Sequence, residues 1–353
     1  MAQFTVTIDK SKVEADLTDY PVYIDLSDMP SAFWDTVKNG GGDIRCYKSD
    51  GTTELAREVV TCDTTEEKGE LHVKYSGTLS SSADTAIIVD VDGDRSDYAV
   101  TATYGRNAVW SDYGGVYHLS DLTLDSSGND ITLTNQNSVA SAGYSDCKMG
   151  LCADFGTNNT NKRLIAEQNV ISYAQWASGF TFTGWARYYN DTDVHTLFWA
   201  RSTDGTRCRQ AGLTYAGNPT RQLQTGIFPN TNTAQTNLTP SYNPSMNTWH
   251  KQVLKWSPST ARIRVGTAEL GNVAHSWGSF NLNSKFVGIG AFPQTSSGWG
   301  NMRADEVRFR NGYTSDGWDD TEYNNQNSPS TFYTVTTGVP TPSPKPSLFL
   351  SMM

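Results

Sequence analysis

The sequence predicts an all-β protein in three parts: a β-sandwich-like N-terminal unit, a second unit of sandwich or jelly-roll type, and an extended proline-rich C-terminal arm. Three observations predict it. Gly 30, Tyr 17 and Trp 10 with only 18% charged residues in 353 suit pleated, half-buried surfaces better than helices or disordered chain. Short runs alternate apolar with polar residues and are separated by Gly, Asp and Asn turn signals. The chain ends in "VPTPSPKPSLFLSMM", in which four prolines alternate with small residues, a composition that favours an extended polyproline-like arm.

The first unit spans residues 1–98. Its strand candidates are "FTVTID", "YPVYIDL", "DIRCYKSDGTTELAREVV", "GELHVKYSG" and "DTAIIVDV". The alternation in "ELHVKY" and the "SDGT" turn are hairpin signatures. Only "PSAFWDTVKNGG" reads as a helix, short and closed by glycines. The run "DVDGDRSD" at 90–97 places four aspartates in eight positions but fails as an EF-hand loop. Counted from Asp90, Gly93 falls at position 4 and Thr101 at position 12, where the loop needs glycine at 6 and glutamate at 12. It reads instead as a strand end, an Asp-Gly turn and an acidic lead into a connector at 99–113. The second unit, 114–335, has strands at regular spacing and no convincing helix before "SDGWDDTEYNNQ". The arm covers 336–353.

Several segments of the second unit, taken in order, resemble the laminin G-like or concanavalin A-like jelly roll: "GVYHLSDLTLDSSGND", "CKMGLCADFGTNNTNKRL", "GFTFTGWARY", "NTWHKQVLKWSPSTARIRVGTAEL" and "RADEVRFRNGYTSDGWDDTEYNNQ". The match runs over roughly 114–327. The first unit resembles an uncharacterised β domain found ahead of such jelly rolls in bacterial and phage proteins. The resemblance implies carbohydrate or protein recognition rather than catalysis, although jelly rolls also carry glycosidases. It further implies that a structural calcium could be held by Asp305 of the last strand, with Asp125 and Asn129 of the "LDSSGND" loop beside it.

Composition and motifs narrow the function. A formal net charge of −10 repels a phosphate backbone, so no nucleic-acid partner is expected. No apolar run approaches the roughly 18 residues of a membrane helix, so no membrane insertion is expected either. The start lacks a basic region followed by an apolar stretch, which reads as synthesis in the cytosol or as a replaced signal. The five cysteines, Cys46, Cys62, Cys147, Cys152 and Cys208, read as reduced thiols. The five histidines, His72, His118, His195, His250 and His275, are scattered without a metal-binding spacing. A glycosidase needs two carboxylates facing one cleft, whereas Asp305 and Glu306 are adjacent and so expected on opposite faces of a strand. "ARSTDGTR" reads as a plain hairpin turn.

Sugar binding wants exposed aromatic faces with polar groups near them. Trp277 in "AHSWGSF" and Trp299 in "QTSSGWGNMR" sit in Gly/Ser-rich loops and are the glycan-binding candidates, while Trp185 and Trp256 alternate into the core. The reading is a non-enzymatic, lectin-like virion surface protein of a phage. Its N-terminal unit anchors it, and the arm, 339–353, docks on identical subunits or other virion proteins. One alternative is a purely structural capsid or tail decoration protein; another is a secreted bacterial carbohydrate-binding or glycan-processing protein.

Overall fold

The computed structural model describes residues 2–157, 161–167, 178–203, 208–217, 219–227, 236–274, 286–291 and 300–338. Six strands occupy the first unit: β1 Ala2–Ile8, β2 Leu17–Asp25, β3 Arg45–Lys48, β4 Glu54–Asp63, β5 Lys68–Leu79 and β6 Thr85–Val91. The helical stretch expected near residue 31 is one turn, α1, Ser31–Trp34. A second single turn, α2, Arg106–Val109, lies in the connector.

The second unit contributes β7 Tyr113–Tyr117, β8 Thr134–Gln136, β9 Ala140–Ala142, β10 Cys152–Asp154, β11 Arg163–Ala166, β12 Phe180–Tyr188, β13 Val194–Thr203 and β14 Cys208–Ala216. It continues with β15 Gln222–Ile227, β16 Thr236–Leu238, β17 Trp249–Trp256, β18 Thr260–Val265, β19 Ala268–Ala274, β20 Phe286–Ile289 and β21 Met302–Asn311. Two helices, α3 Asp316–Asn327 and α4 Pro329–Phe332, precede the last strand, β22 Tyr333–Thr337.

The protein is all-β, as the sequence predicts. The first sheet runs β2-β5-β4-β3-β6-β1-β22, with antiparallel neighbours throughout. Phe4 of β1, near one end of that order, and Val22 of β2, at the other, lie in the same apolar cluster. The sheet therefore curls around its own core, which α1 closes with Phe33 and Trp34. Sequence patterning assigns Tyr333–Val335 to the second unit. In the structure β22 pairs with β1, Val335 opposite Val6, and brings Phe332 and Tyr333 into the first core.

Two further sheets form the second unit. One runs β19-β18-β17-β12-β21-β10-β9, with β7 also paired to β21; the other runs β16-β15-β14-β13-β20-β11-β8. Alternate residues of each point into a shared core: Phe182, Leu254 and Phe309 from the first, Phe198, Leu213 and Ile289 from the second. The Phe182 and Phe198 rings stack across it at 3.5 Å. Trp256 joins this core as expected. Trp185 is equally buried but faces outward, into a separate cluster with Tyr23 and Met149.

That outward face carries Lys251, Lys255, Arg264 and Arg308, and α3 lies across it with the acids to match. Ser315 caps the helix, its hydroxyl accepting from the Trp318 amide at 3.1 Å. Lys255 pairs with Asp319 at 2.7 Å, Arg264 with Asp320 at 2.7 Å and Lys251 with Glu322 at 2.6 Å. The other side of α3 meets the first unit. Trp318 enters that unit's core against Tyr20 at 5.0 Å. The Asn325 amide clamps the Tyr23 backbone, accepting from its N–H and donating to its C=O, both at 2.8 Å.

Cys147 and Cys152 form a disulfide, against the expectation of five reduced thiols. The "KMGL" turn between them brings their Cα atoms to 5.5 Å, inside the range a bridge requires. Cys46 and Cys62 are free and buried. The Cys208 side chain lies outside the described residues.

Candidate functional site at the junction of the two units

The densest chemistry lies where the first sheet meets the outward face of the second unit. In β5, Leu71 and Val73 point into the core, which turns Glu70 and His72 to the opposite face. Glu58 of β4 pairs directly with His72. From the second unit, β7 pairs with β21, Tyr117 opposite Val307, which sets His118 beside Glu306.

A β-bulge makes the arrangement possible. Thr183 faces Arg308 and Trp185 faces Asp305, so Glu306 and Val307 together oppose Gly184. Glu306 takes the left-handed conformation, φ 52°. Asp305 and Glu306 are therefore not split between faces as adjacency predicts. Ala304, Val307 and Phe309 enter the sandwich core, while Asp305, Glu306 and Arg308 make their contacts at the junction. Gly184 leaves room for the bulge, since a Cβ there would meet Val307 at 3.2 Å and Leu197 at 3.3 Å.

The result is a buried polar cluster. His118 Nδ1 lies 2.5 Å from Glu306 Oε1 and 3.2 Å from Glu70 Oε1, and its Nε2 is 3.1 Å from Glu58 Oε2. His72 Nε2 lies 2.8 Å from Glu70 Oε1. The two imidazoles stack at 4.8 Å, with Trp110 against both. Arg308 pairs with Glu306 and reaches Glu322 at 3.1 Å. Trp110 Nε1 and the Ser126 hydroxyl, the latter at 2.6 Å, donate to Glu58. Apolar groups flank the cluster: Val109, Trp110, Tyr113 and Val116 form one, Tyr23, Met149 and Trp185 the other.

Burial and neighbours divide the protons unevenly. Burial, then the Glu306 charge, pushes the Glu70 carboxyl up to about 8. Burial opposes ionisation of Glu306, but Arg308 and His118 outweigh it and hold that carboxyl well below the usual range. Burial also opposes charge on His118, and Glu306 and Glu58 outweigh it, leaving the imidazole protonated. His72 is driven well below its ordinary value by burial and then Arg308, and stays neutral. Opposite shifts on neighbouring groups are a mark of functional sites and of structural ion networks alike.

Two of the four cluster groups come from each unit, and one ligand atom from each of Glu70, His72, His118 and Glu306 lies within 4.8 Å of the others. Beside the cluster a cavity of about 180 Å³ is lined by Arg57, Glu58, Asp97, Tyr98, His118 and Ser126, among others.

Of the metal and glycan candidates named from the sequence, Asp305 alone belongs to this region; Glu306, weighed there only as a catalytic partner of Asp305, belongs to it too. Asp305 Oδ2 accepts from the Lys148 and Met149 amides at 3.0 and 2.9 Å, in the disulfide-closed turn. Asp125 accepts from the amides of Val116, Ser127 and Ile131 and from the Ser127 hydroxyl. Asn129 donates to the Tyr113 carbonyl and to Ser127. Asp125 and Asn129 thus meet at Ser127, while Asp305 is held by a different loop. Trp277 and Trp299, the glycan candidates, lie outside the described residues, as does the arm from 339 onward. In "DVDGDRSD", Asp90 and Asp92 both pair with Arg95, and Asp92 also accepts from the amides of residues 94 and 95, the geometry of a turn.

Sequence reading passed over Glu58 and Glu70 and set His72 and His118 aside as scattered histidines. For Glu58, Glu70 and His72 the signal was the polar phase of the alternation in β4 and β5, which in isolation means a solvent face; His118 follows β7.

No protein-family model matches the chain, and no curated protein matches it. Among solved structures it is similar to the binding domain of botulinum neurotoxin DC in complex with SialylT, at 11% identity over 60% of this chain and 50% of that one, TM-score 0.47. It is similar also to the binding domain of Paraclostridial Mosquitocidal Protein 1, at 13% over 60% and 52%, TM-score 0.47. A third is the botulinum neurotoxin serotype G binding domain, at 12% over 60% and 50%, TM-score 0.46. The chain spans about half the length of these structures. Likeness at this level transfers no ligand and no residue role. Among the described residues no helix is long and apolar enough to cross a membrane.

Proposed function

We propose that the chain is a non-enzymatic recognition protein: the second unit is a laminin G-like or concanavalin A-like jelly roll that binds glycan in a lectin-like way, and the first unit attaches it to a larger body. The observation that carries this reading is where the two Trp-bearing Gly/Ser segments are attached. Segments 275–285 and 292–299 adjoin the two ends of one short strand, β20, which sits between β13 and β11 inside the second sheet. The root of the Trp299 segment is hydrogen-bonded to the sheet. The Gly300 amide donates to the Gly290 carbonyl at 2.8 Å, the Gly290 amide to Thr196 at 3.0 Å, and the Asn301 amide to His195 Nδ1 at 3.1 Å. Loops on a stiff β scaffold are where recognition residues are commonly carried.

Against catalysis, Asp305, Glu306 and Glu70 are fully buried and held in the junction, so none faces a groove that would take a sugar chain. The Cys147–Cys152 disulfide favours a working place outside the cytoplasm, on a virion or a cell surface. The Pro-rich arm is the proposed contact with identical subunits or other particle proteins.

A glycan array probed with the intact protein tests the reading. Binding that falls at least tenfold in Trp277→Ala or Trp299→Ala is the expected result. No binding across a broad array, or binding indifferent to both substitutions, would contradict it and favour a purely structural role.

A further inference from the structure

From the junction geometry we infer that Glu70, His72, His118 and Glu306 form a binding site for a single divalent transition-metal ion of the zinc class, which staples the two units together. The inference is independent of the glycan reading.

Two imidazole nitrogens and two carboxylate oxygens are a ligand set that zinc takes in four-coordinate sites. One such atom from each residue lies within 4.8 Å of the rest; ligands about 2.0–2.2 Å from a common centre stand about 3.3–3.6 Å apart in a tetrahedron, so on binding the widest pair closes by about 1 Å and the His118–Glu306 pair, now at 2.5 Å, opens. The surroundings match what a bound ion requires. A metal-bound histidine donates its second ring nitrogen to a carboxylate or carbonyl, and His118 Nε2 faces Glu58 at 3.1 Å while Nδ1 faces the cluster centre. Glu58 is itself fixed by Trp110 Nε1 and Ser126. Arg308 holds the second oxygen of Glu306. The adjacent cavity reaches Glu58 and His118.

The atoms turned toward the cluster centre are Glu70 Oε1 and His72 Nε2, 2.8 Å apart. Glu70 Oε2, beside Gly150, and His72 Nδ1 are buried and, among the described residues, without a hydrogen-bond partner, so each of these two groups is hydrogen-bonded only through its cluster-facing atom. Buried polar atoms are nearly always paired with protein, water or an ion. All four ligands come from protein and both units contribute two, so the ion would be structural, with no position left open for substrate.

The test uses the intact chain, stripped with a chelator and dialysed. Isothermal titration with Zn²⁺ should show one equivalent bound, and the melting temperature should rise with Zn²⁺. His72→Ala should weaken binding by more than about 100-fold and Glu58→Gln by about 10- to 100-fold, while His250→Ala, whose imidazole bonds the Ser245 carbonyl far along the chain, should change nothing. Because a cluster variant could fail to fold, Co²⁺ bound to the wild-type protein gives a second readout: the intense visible bands of a four-coordinate ion are expected. Absence of stoichiometric Zn²⁺ binding, binding unchanged in a folded His72→Ala protein, or only the weak bands of six-coordinate Co²⁺ would overturn the proposal.

Discussion

Arg308 is wholly buried and answers two carboxylates at once, Glu306 from its own strand and Glu322 from α3. Removing such a cation leaves buried charge without a partner, which costs about 3–5 kcal/mol. Arg308→Met should therefore lower unfolding free energy by that amount in urea; a loss below about 1 kcal/mol would mean that the carboxylates find other partners. His195 makes a different prediction. Its Nε2 bonds the Asn190 carbonyl at 3.0 Å and its Nδ1 accepts from the Asn301 amide, so the ring is neutral in the fold, and burial lowers its pKa to about 4. Below the ordinary histidine value the unfolded chain takes up a proton that the folded chain does not. Stability should fall as pH drops from about 6.5 to about 4, by up to about 3 kcal/mol, and level off below. His195→Gln should flatten that slope; an unchanged slope would exclude His195 as its source.

Among the elements, α3 decides how the units meet. Its acidic residues were legible as a helix, since Ser315 precedes "DGWDDTEY" as a cap precedes an acidic first turn. What it packs against was not legible. "WHKQVLKW", "TARIRV" and "VRFRN" each alternate a core face with a basic face, and alternation alone assigns the basic face to water. The same holds for "GELHVKY", whose Glu70 and His72 would be surface residues on a lone sheet. The bulge at Glu306 was hidden for another reason: one extra residue in a strand leaves no mark on composition, yet it moves Glu306 across to the face of Asp305. Three measurements test these elements. Asn325→Ala strips both partners from the buried Tyr23 backbone and should cost about 2–4 kcal/mol, whereas Ser315→Ala, a lost cap, should cost about 1 kcal/mol. Reducing the Cys147–Cys152 bridge, which closes a loop of sequence separation 5, should cost about 2 kcal/mol on loop entropy and loosen the amides that hold Asp305. Equal effects of the two α3 substitutions would show that the clamp on Tyr23 contributes no more than a helix cap.

At the scale of the whole molecule, the two units share more than a linker. β22 follows the second unit in sequence yet completes the first sheet beside β1. Phe332, Tyr333 and Trp318 supply part of the first core, so residues 1–98 by themselves lack three of its aromatic side chains. Between the units lies an apolar-flanked ionic cluster whose members come from both. This junction should make one cooperative body of the two units. Scanning calorimetry of the intact chain tests it most directly. One transition is predicted, with the calorimetric and van't Hoff enthalpies equal, shifted as a whole to lower temperature by Arg308→Met; two resolved transitions, one of them unmoved by that substitution, would contradict it.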